Sequence, residues 1–153
     1  MLIRRALVEA VGHFDEQFFA YWEDVDYSLR SIRAGYHNIV VSEDEVRHAP
    51  GIHETGLSAK PPHFFYYMAR NELLLTRKHV GWWAGRRPLW WAIRRALGRT
   101  SELNDYPAAI DAIFYGLFDG LTFRRGAFDP ARRLPRPVRK LLLAANRALF
   151  GAH

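Results

Sequence analysis

The sequence has no cysteine in its 153 residues, so disulfides and thiolate metal sites are excluded, and any metal must be held by histidines and carboxylates. That absence fits a reducing compartment. Long apolar runs are missing too: the longest uncharged stretches, 34–42 and 61–69, are about half what a bilayer span needs. No transmembrane helix is expected. The opening MLIRRALVEAVG has a basic start, but Glu9 interrupts its apolar part and no small-residue cleavage site follows. It does not read as a signal peptide.

What is present argues for a folded domain. Apolar residues make up 49% of the chain and aromatics 14%, enough for a core and too much for disorder. The net charge of +6 hides an asymmetry: residues 1–60 carry six basic against ten acidic side chains, whereas 61–153 carry sixteen against six. Nineteen of the 22 basic residues are arginine. A basic second part of this kind attracts phosphate, in nucleic acid, a nucleotide or an anionic membrane surface.

Along the chain, Leu2 to Arg4 reads as a short strand, followed by a brief helical or turn segment ending at Gly12. From Glu23 the pattern is helical, with Val25, Leu29 and Ile32 at i, i+4 and i+7 and Gly35 where a C-terminal cap belongs. HNIVVS and EVRH read as extended pieces around the acidic turn Glu43-Asp44-Glu45, and GIHETGLSAKPP as a loop. Helices are predicted from Phe64 to His79, over 89–97 beyond a break at Pro88, from Pro107, and in the tail. On the 89–97 helix, Leu89, Trp90, Ala92, Ile93, Ala96 and Leu97 share a face opposite Trp91, Arg94 and Arg95. Two or three short strands cannot make a covered sheet of their own, so they are expected to complete one supplied by another segment.

The stretch FFAYWEDVDYSLRSIRAGYHNIVVSEDEVRHAP gathers the chemistry. Glu23, Asp24 and Asp26 in a first helical turn are explained by capping and the helix dipole. An EF-hand reading fails, because Leu29 stands where the turn needs Gly. Geometry allows more. A helix from Asp24 to Ala34 rises roughly 15 Å, and an extended return leaves slack to bring His48 back beside Asp24, as a metal-assisted acid–base site requires.

In order, GHFDE, EDVD, R…AGY, VRH and ARN resemble the family 2 glycosyltransferases of GT-A fold, in their rhamnosyltransferase-like branch. The likeness covers most of residues 1–126. It implies an α/β fold class: the C-terminal part of a GT-A, Rossmann-like domain with few short strands, followed by α-helices. By the same resemblance, Asp24 is the general base for inverting attack by an acceptor hydroxyl, with Glu23 supporting its loop. His48 is a ligand of a divalent metal, Mg or Mn, shared with the Asp-x-Asp motif that ends the family's nucleotide-binding half, a half this sequence does not contain. Tyr21 and Trp22 either pack against a sugar or belong to the core. Asp26 and Arg30 match the motif or form an i,i+4 pair, and Arg70 and Asn71 serve the acceptor side, a donor phosphate or a helix-to-core hydrogen bond.

The expected organisation is 1–60 as the acceptor-side part of the catalytic domain, 61–126 as a helical extension and 127–153 as a basic linker and helix. The expected partners are a nucleotide-sugar such as dTDP-rhamnose and a glycan or lipid-linked acceptor. A nucleotide-binding half would come from a separate chain or a longer product, and the chain alone is expected to be inactive. A cytoplasmic location is expected; the basic, Trp-rich segment after residue 80 either sits against the inner face of the membrane or is a solvated helix packed on the catalytic domain, and no nucleic acid is expected. The competing readings are a non-enzymatic basic module for anionic membrane or nucleic acid, and an inactive remnant.

Overall fold

The computed structural model describes residues 2–40, 60–81, 83–103 and 106–151. Among the described residues six α-helices carry the fold: α1 (Arg5–Val11), α2 (Glu23–Arg33), α3 (Pro62–Val80), α4 (Arg86–Gly98), α5 (Pro107–Leu121) and α6 (Arg136–Phe150), with 3-10 turns at Glu16–Phe18 and Arg99–Leu103. No strand occurs among the described residues. This overturns the expected α/β class: what is described is helical.

The reason lies in what surrounds the strand candidates. Leu2 to Arg4 is extended, but Arg4 O already accepts from Leu7 and Val8, so the segment feeds straight into α1, and Leu2 is wholly exposed. Residues 37–40 are likewise not a strand, and Ile39 and Val40 are exposed. β-branched side chains suit a half-buried pleated surface, and an extended segment becomes a strand only when a neighbour completes its hydrogen-bond ladder. EVRH lies outside the described residues.

The helix boundaries follow local chemistry. Gly35, at φ +83°, ends α2, and Gly81, at φ +81°, ends α3 as an L-residue there could not without strain. Pro62 and Pro107 open α3 and α5 at positions whose N–H groups have no helical partner. Pro88, expected to break the chain, sits instead in the first turn of α4, where its missing N–H costs nothing.

The core forms where α3 and α5 pack side by side, with α4 alongside. Phe65, Leu73, Leu97, Ile113, Phe114 and Leu117 are at most 2% exposed. Gly116 and Gly120, one turn apart on α5, permit the close approach: a β-carbon on Gly116 would lie under 3.0 Å from Tyr66 O, and one on Gly120 would lie 2.8 Å from a Leu73 methyl. A smaller cluster of Phe18, Leu74 and Leu75, joined by Trp22 and Leu29, fastens the start of α2 to α3. No helix of the described residues is long and apolar enough to cross a membrane.

Candidate active site

The acidic cluster opens α2 after an unusual loop. Phe19, Tyr21 and Trp22 have φ of +63°, +63° and +71°, a region that costs a non-glycine residue about 1–3 kcal/mol. Trp22 is the N-cap and offers no side-chain cap, so the carboxylates of Glu23, Asp24 and Asp26 face the positive end of the helix dipole. A loop strained three times over needs an outside hold.

That hold is the Arg70-Asn71 pair of α3. Both side chains are fully buried. The Arg70 guanidinium donates from Nη2 to the carbonyls of Gln17 (3.0 Å) and Phe18 (2.8 Å), and from Nη1 to Gly126 O (2.6 Å) and the Tyr66 hydroxyl (3.3 Å). Its Nε donates to Asn71 Oδ1 at 2.8 Å, and its plane rests against the rings of Tyr66 and Tyr67. All five N–H groups are thereby used, leaving none for a phosphate. Asn71 Nδ2 reaches the carbonyls of Phe18, Ala20 and Tyr21 at 2.7–2.8 Å. Of the readings open in the sequence, the geometry matches the helix-to-core hydrogen bond: these residues shape the loop from behind.

Held this way, the loop presents Asp24 to solvent. Its Oδ1 accepts from Val25 N at 2.8 Å, and Oδ2 has no hydrogen bond among the described residues. Beside it, the buried atoms Glu23 Oε2 and Trp22 Nε1 have no partner among the described residues. Burying such atoms unpaired costs about 1–3 kcal/mol each. Tyr21 stacks edge-on with Phe64 at 5.3 Å and tilts against Tyr67 at 6.4 Å, whereas Trp22 joins the Phe18 cluster.

Asp26 has a different part. It is wholly buried and accepts from Arg30 Nε (2.9 Å), Lys78 Nζ (2.7 Å) and His79 Nε2 (2.7 Å). Arg30 also donates to Val11 O and His13 O, tying α2 to the end of α1. Arg33 Nη1 lies 2.6 Å from His79 Nδ1. An arginine only donates, so Nδ1 accepts and the imidazole hydrogen sits on Nε2, pointing at Asp26. Burial alone raises the Asp26 carboxyl; hydrogen bonds from Lys78, His79 and Arg30 and the Lys78 charge outweigh it and hold the group below its ordinary value of 3.8. Asp26 and Arg30 thus form the i,i+4 pair that braces the helix, with Asp26 wholly enclosed.

Sequence reasoning missed a second buried carboxylate. Asp119 on α5 is wholly buried, paired with Arg132 through both oxygens (2.6 and 2.9 Å) and accepting from the Tyr66 hydroxyl at 2.9 Å. Burial, partly offset by Arg70, pushes the Tyr66 phenol up to about 12, so it stays a donor. A lone acid within the apolar run FYGLFDGL was the available signal. Lys78 and His79, at the end of α3, gave none beyond their charge.

Among the described residues no three histidine, aspartate or glutamate side chains come together, and His48 lies outside them. The residues present do not fit a divalent ion by themselves.

Comparison with known proteins gives the likeness a name. Over 103 residues the chain is 37% identical to the N-acetylglucosaminyl-diphospho-decaprenol L-rhamnosyltransferase of Mycobacterium tuberculosis, in strains CDC 1551 / Oshkosh and ATCC 25618 / H37Rv alike. The match takes in 67% of this chain and 32% of the relative, so the chain spans about a third of the relative's length. No protein-family model matches, and no solved structure does. The chain is thus a homologue of part of a rhamnosyltransferase, in agreement with the glycosyltransferase family to which its motifs pointed.

Proposed function

We propose that this chain supplies the general base of a sugar-transfer reaction, with Asp24 as the catalytic residue. The observation that carries the reading is the presentation of Asp24: a solvent-facing carboxylate on a strained loop, held by two buried α3 side chains and flanked by two unpartnered polar atoms. A structural capping acid requires none of that scaffolding.

In the reaction, an acceptor hydroxyl gives its proton to Asp24 Oδ2 as its oxygen bonds to the anomeric carbon of the donor. The bond from that carbon to the diphosphate oxygen breaks, and the nucleoside diphosphate leaves with the electron pair; the anomeric configuration inverts. General-base assistance of this kind is worth about 10²–10⁴ in rate. Tyr21, half-buried beside Phe64 and Tyr67, offers an aromatic edge near the loop. Arg70 and Asn71 are positioning residues. The mycobacterial relative's name supports rhamnose as the sugar and a polyprenyl diphosphate glycan as the acceptor class. A divalent metal belongs to this reading only through His48, and no step above is routed through it.

The test is rhamnose transfer from labelled dTDP-rhamnose to a lipid-linked acceptor, measured in membranes of cells producing the native protein or its Asp24→Asn variant. The expected result is a loss of about 10²–10⁴ with unchanged protein level and circular dichroism, since Asp24 is exposed. Undiminished transfer by Asp24→Asn would sink the assignment.

A further inference from the structure

We propose that the groove between α4 and the end of α6 is a docking surface for an anionic lipid bilayer. It is an open groove of about 830 Å³, lined by Trp91, Arg94, Arg95, Arg99, Glu102 and Phe150. Arg95 is tied to Glu72 at 2.5 Å, whereas Arg94 and Arg99 have no carboxylate within ion-pair distance among the described residues. The Arg94 guanidinium sits 5.7 Å from the ring centres of both Trp91 and Phe150. Cation and rings are thus arranged side by side, as a lipid phosphate and the first acyl carbons beneath it require.

The two helices extend that surface. α4 and α6 each contain four basic residues and no acidic one. Apolar side chains remain exposed on them, Trp90 at 47%, Trp91 at 58% and Leu141 at 69%, and in the turn before α4, where Trp83 is 79% exposed. α6 has no buried residue; Val138, Leu142, Ala145 and Leu149 lean on the core, and Leu141 faces away. Charge complementarity favours an anionic partner. The exposed indoles and leucine favour one with an apolar interior, which a bilayer offers and the phosphate backbone of a duplex does not. This surface is independent of the Asp24 chemistry, which it neither uses nor requires.

The experiment is cosedimentation of the whole chain with phosphatidylcholine vesicles, with and without phosphatidylglycerol, at low and high salt, alongside tryptophan emission. The expected result is binding that needs phosphatidylglycerol, weakens with salt and shifts the emission to the blue. Arg94→Gln with Arg99→Gln should weaken it about 25-fold, from about fivefold per cation. Trp91→Ser should reduce both binding and the blue shift, and Arg5→Gln on α1 should have little effect. Asp24→Asn should bind as the parent does, so that failure here and failure of sugar transfer are told apart. Absence of binding to phosphatidylglycerol vesicles, a loss no greater for the double variant than for Arg5→Gln, or binding to a duplex oligonucleotide that such vesicles cannot displace would overturn the proposal.

Discussion

Replacing Asn71 by leucine tests the central claim about the loop, because it keeps roughly the side chain's size and strips its polarity. Phe18 O would still be served by Arg70, but Ala20 O and Tyr21 O would lose the Asn71 donor, and Arg70 Nε would lose its acceptor. The buried Arg70 Nε left unpaired costs about 1–3 kcal/mol and the two part-buried carbonyls somewhat less each, so a loss of about 3 kcal/mol is expected. For a chain of this size that lowers the thermal midpoint by about 6–12 °C. The local consequence is more specific: with its hold gone, the backbone of 19–22 should relax from positive φ, and amide exchange there should rise before exchange in α5 does. The assay is thermal unfolding followed by circular dichroism, together with hydrogen exchange read by peptide. An unchanged midpoint, or increased exchange spread evenly over all the helices, would refute the clamp.

Gly116→Ala gains about 1 kcal/mol of helix propensity and loses more to the clash with Tyr66 O, so denaturant titration should show net destabilisation of about 1–3 kcal/mol; a stabilised variant would refute the close approach of α3 and α5. For pH, the folded Asp26 carboxyl lies below its unfolded value, so its contribution is full above about pH 4 and is lost as pH falls through the folded value. Acid unfolding should therefore flatten in Asp26→Asn, alongside a general loss of stability, and an unchanged acid limb would count against the Lys78–His79–Arg30 network. Arg132→Gln leaves Asp119 buried beside Tyr66 with less compensation, and its destabilisation should shrink when paired with Asp119→Asn in a double-mutant cycle.

The helices were legible because their signals are local. The period of Val25, Leu29 and Ile32 and the glycine at 35 placed α2 to within a residue, and Pro107 marked the start of α5. The strands were not, since β-branched composition records a preference for a pleated surface and says nothing of whether a neighbour is there to make one. Asp24 was singled out by its company in the motif, and the structure places it exposed at the start of α2. The division of labour around it was hidden: Asp26 lies two residues further along the same turn, yet the helix turns it inward to meet Lys78 and His79 across 52 and 53 positions of sequence. Arg70 and Asn71 raised the same difficulty. Their side chains suit phosphate and sugar as well as they suit carbonyls, and only burial separates the two uses.

The left-handed backbone at Phe19, Tyr21 and Trp22 changes how mutational scanning of this loop must be read. Alanine at any of the three keeps the conformational penalty and deletes the ring, so an alanine scan reports ring loss on a backbone still held under load. Glycine deletes the same ring and releases the load. The difference between the two substitutions at one position then reports the stored backbone energy less the extra unfolded-chain entropy of glycine, about 0.4–1 kcal/mol, separable from anything the aromatic contacts contribute. At Phe19, which is 63% exposed and whose ring stacks on Tyr67 at 5.5 Å, both replacements lose that stack alike, and glycine is expected to be the more stable of the two.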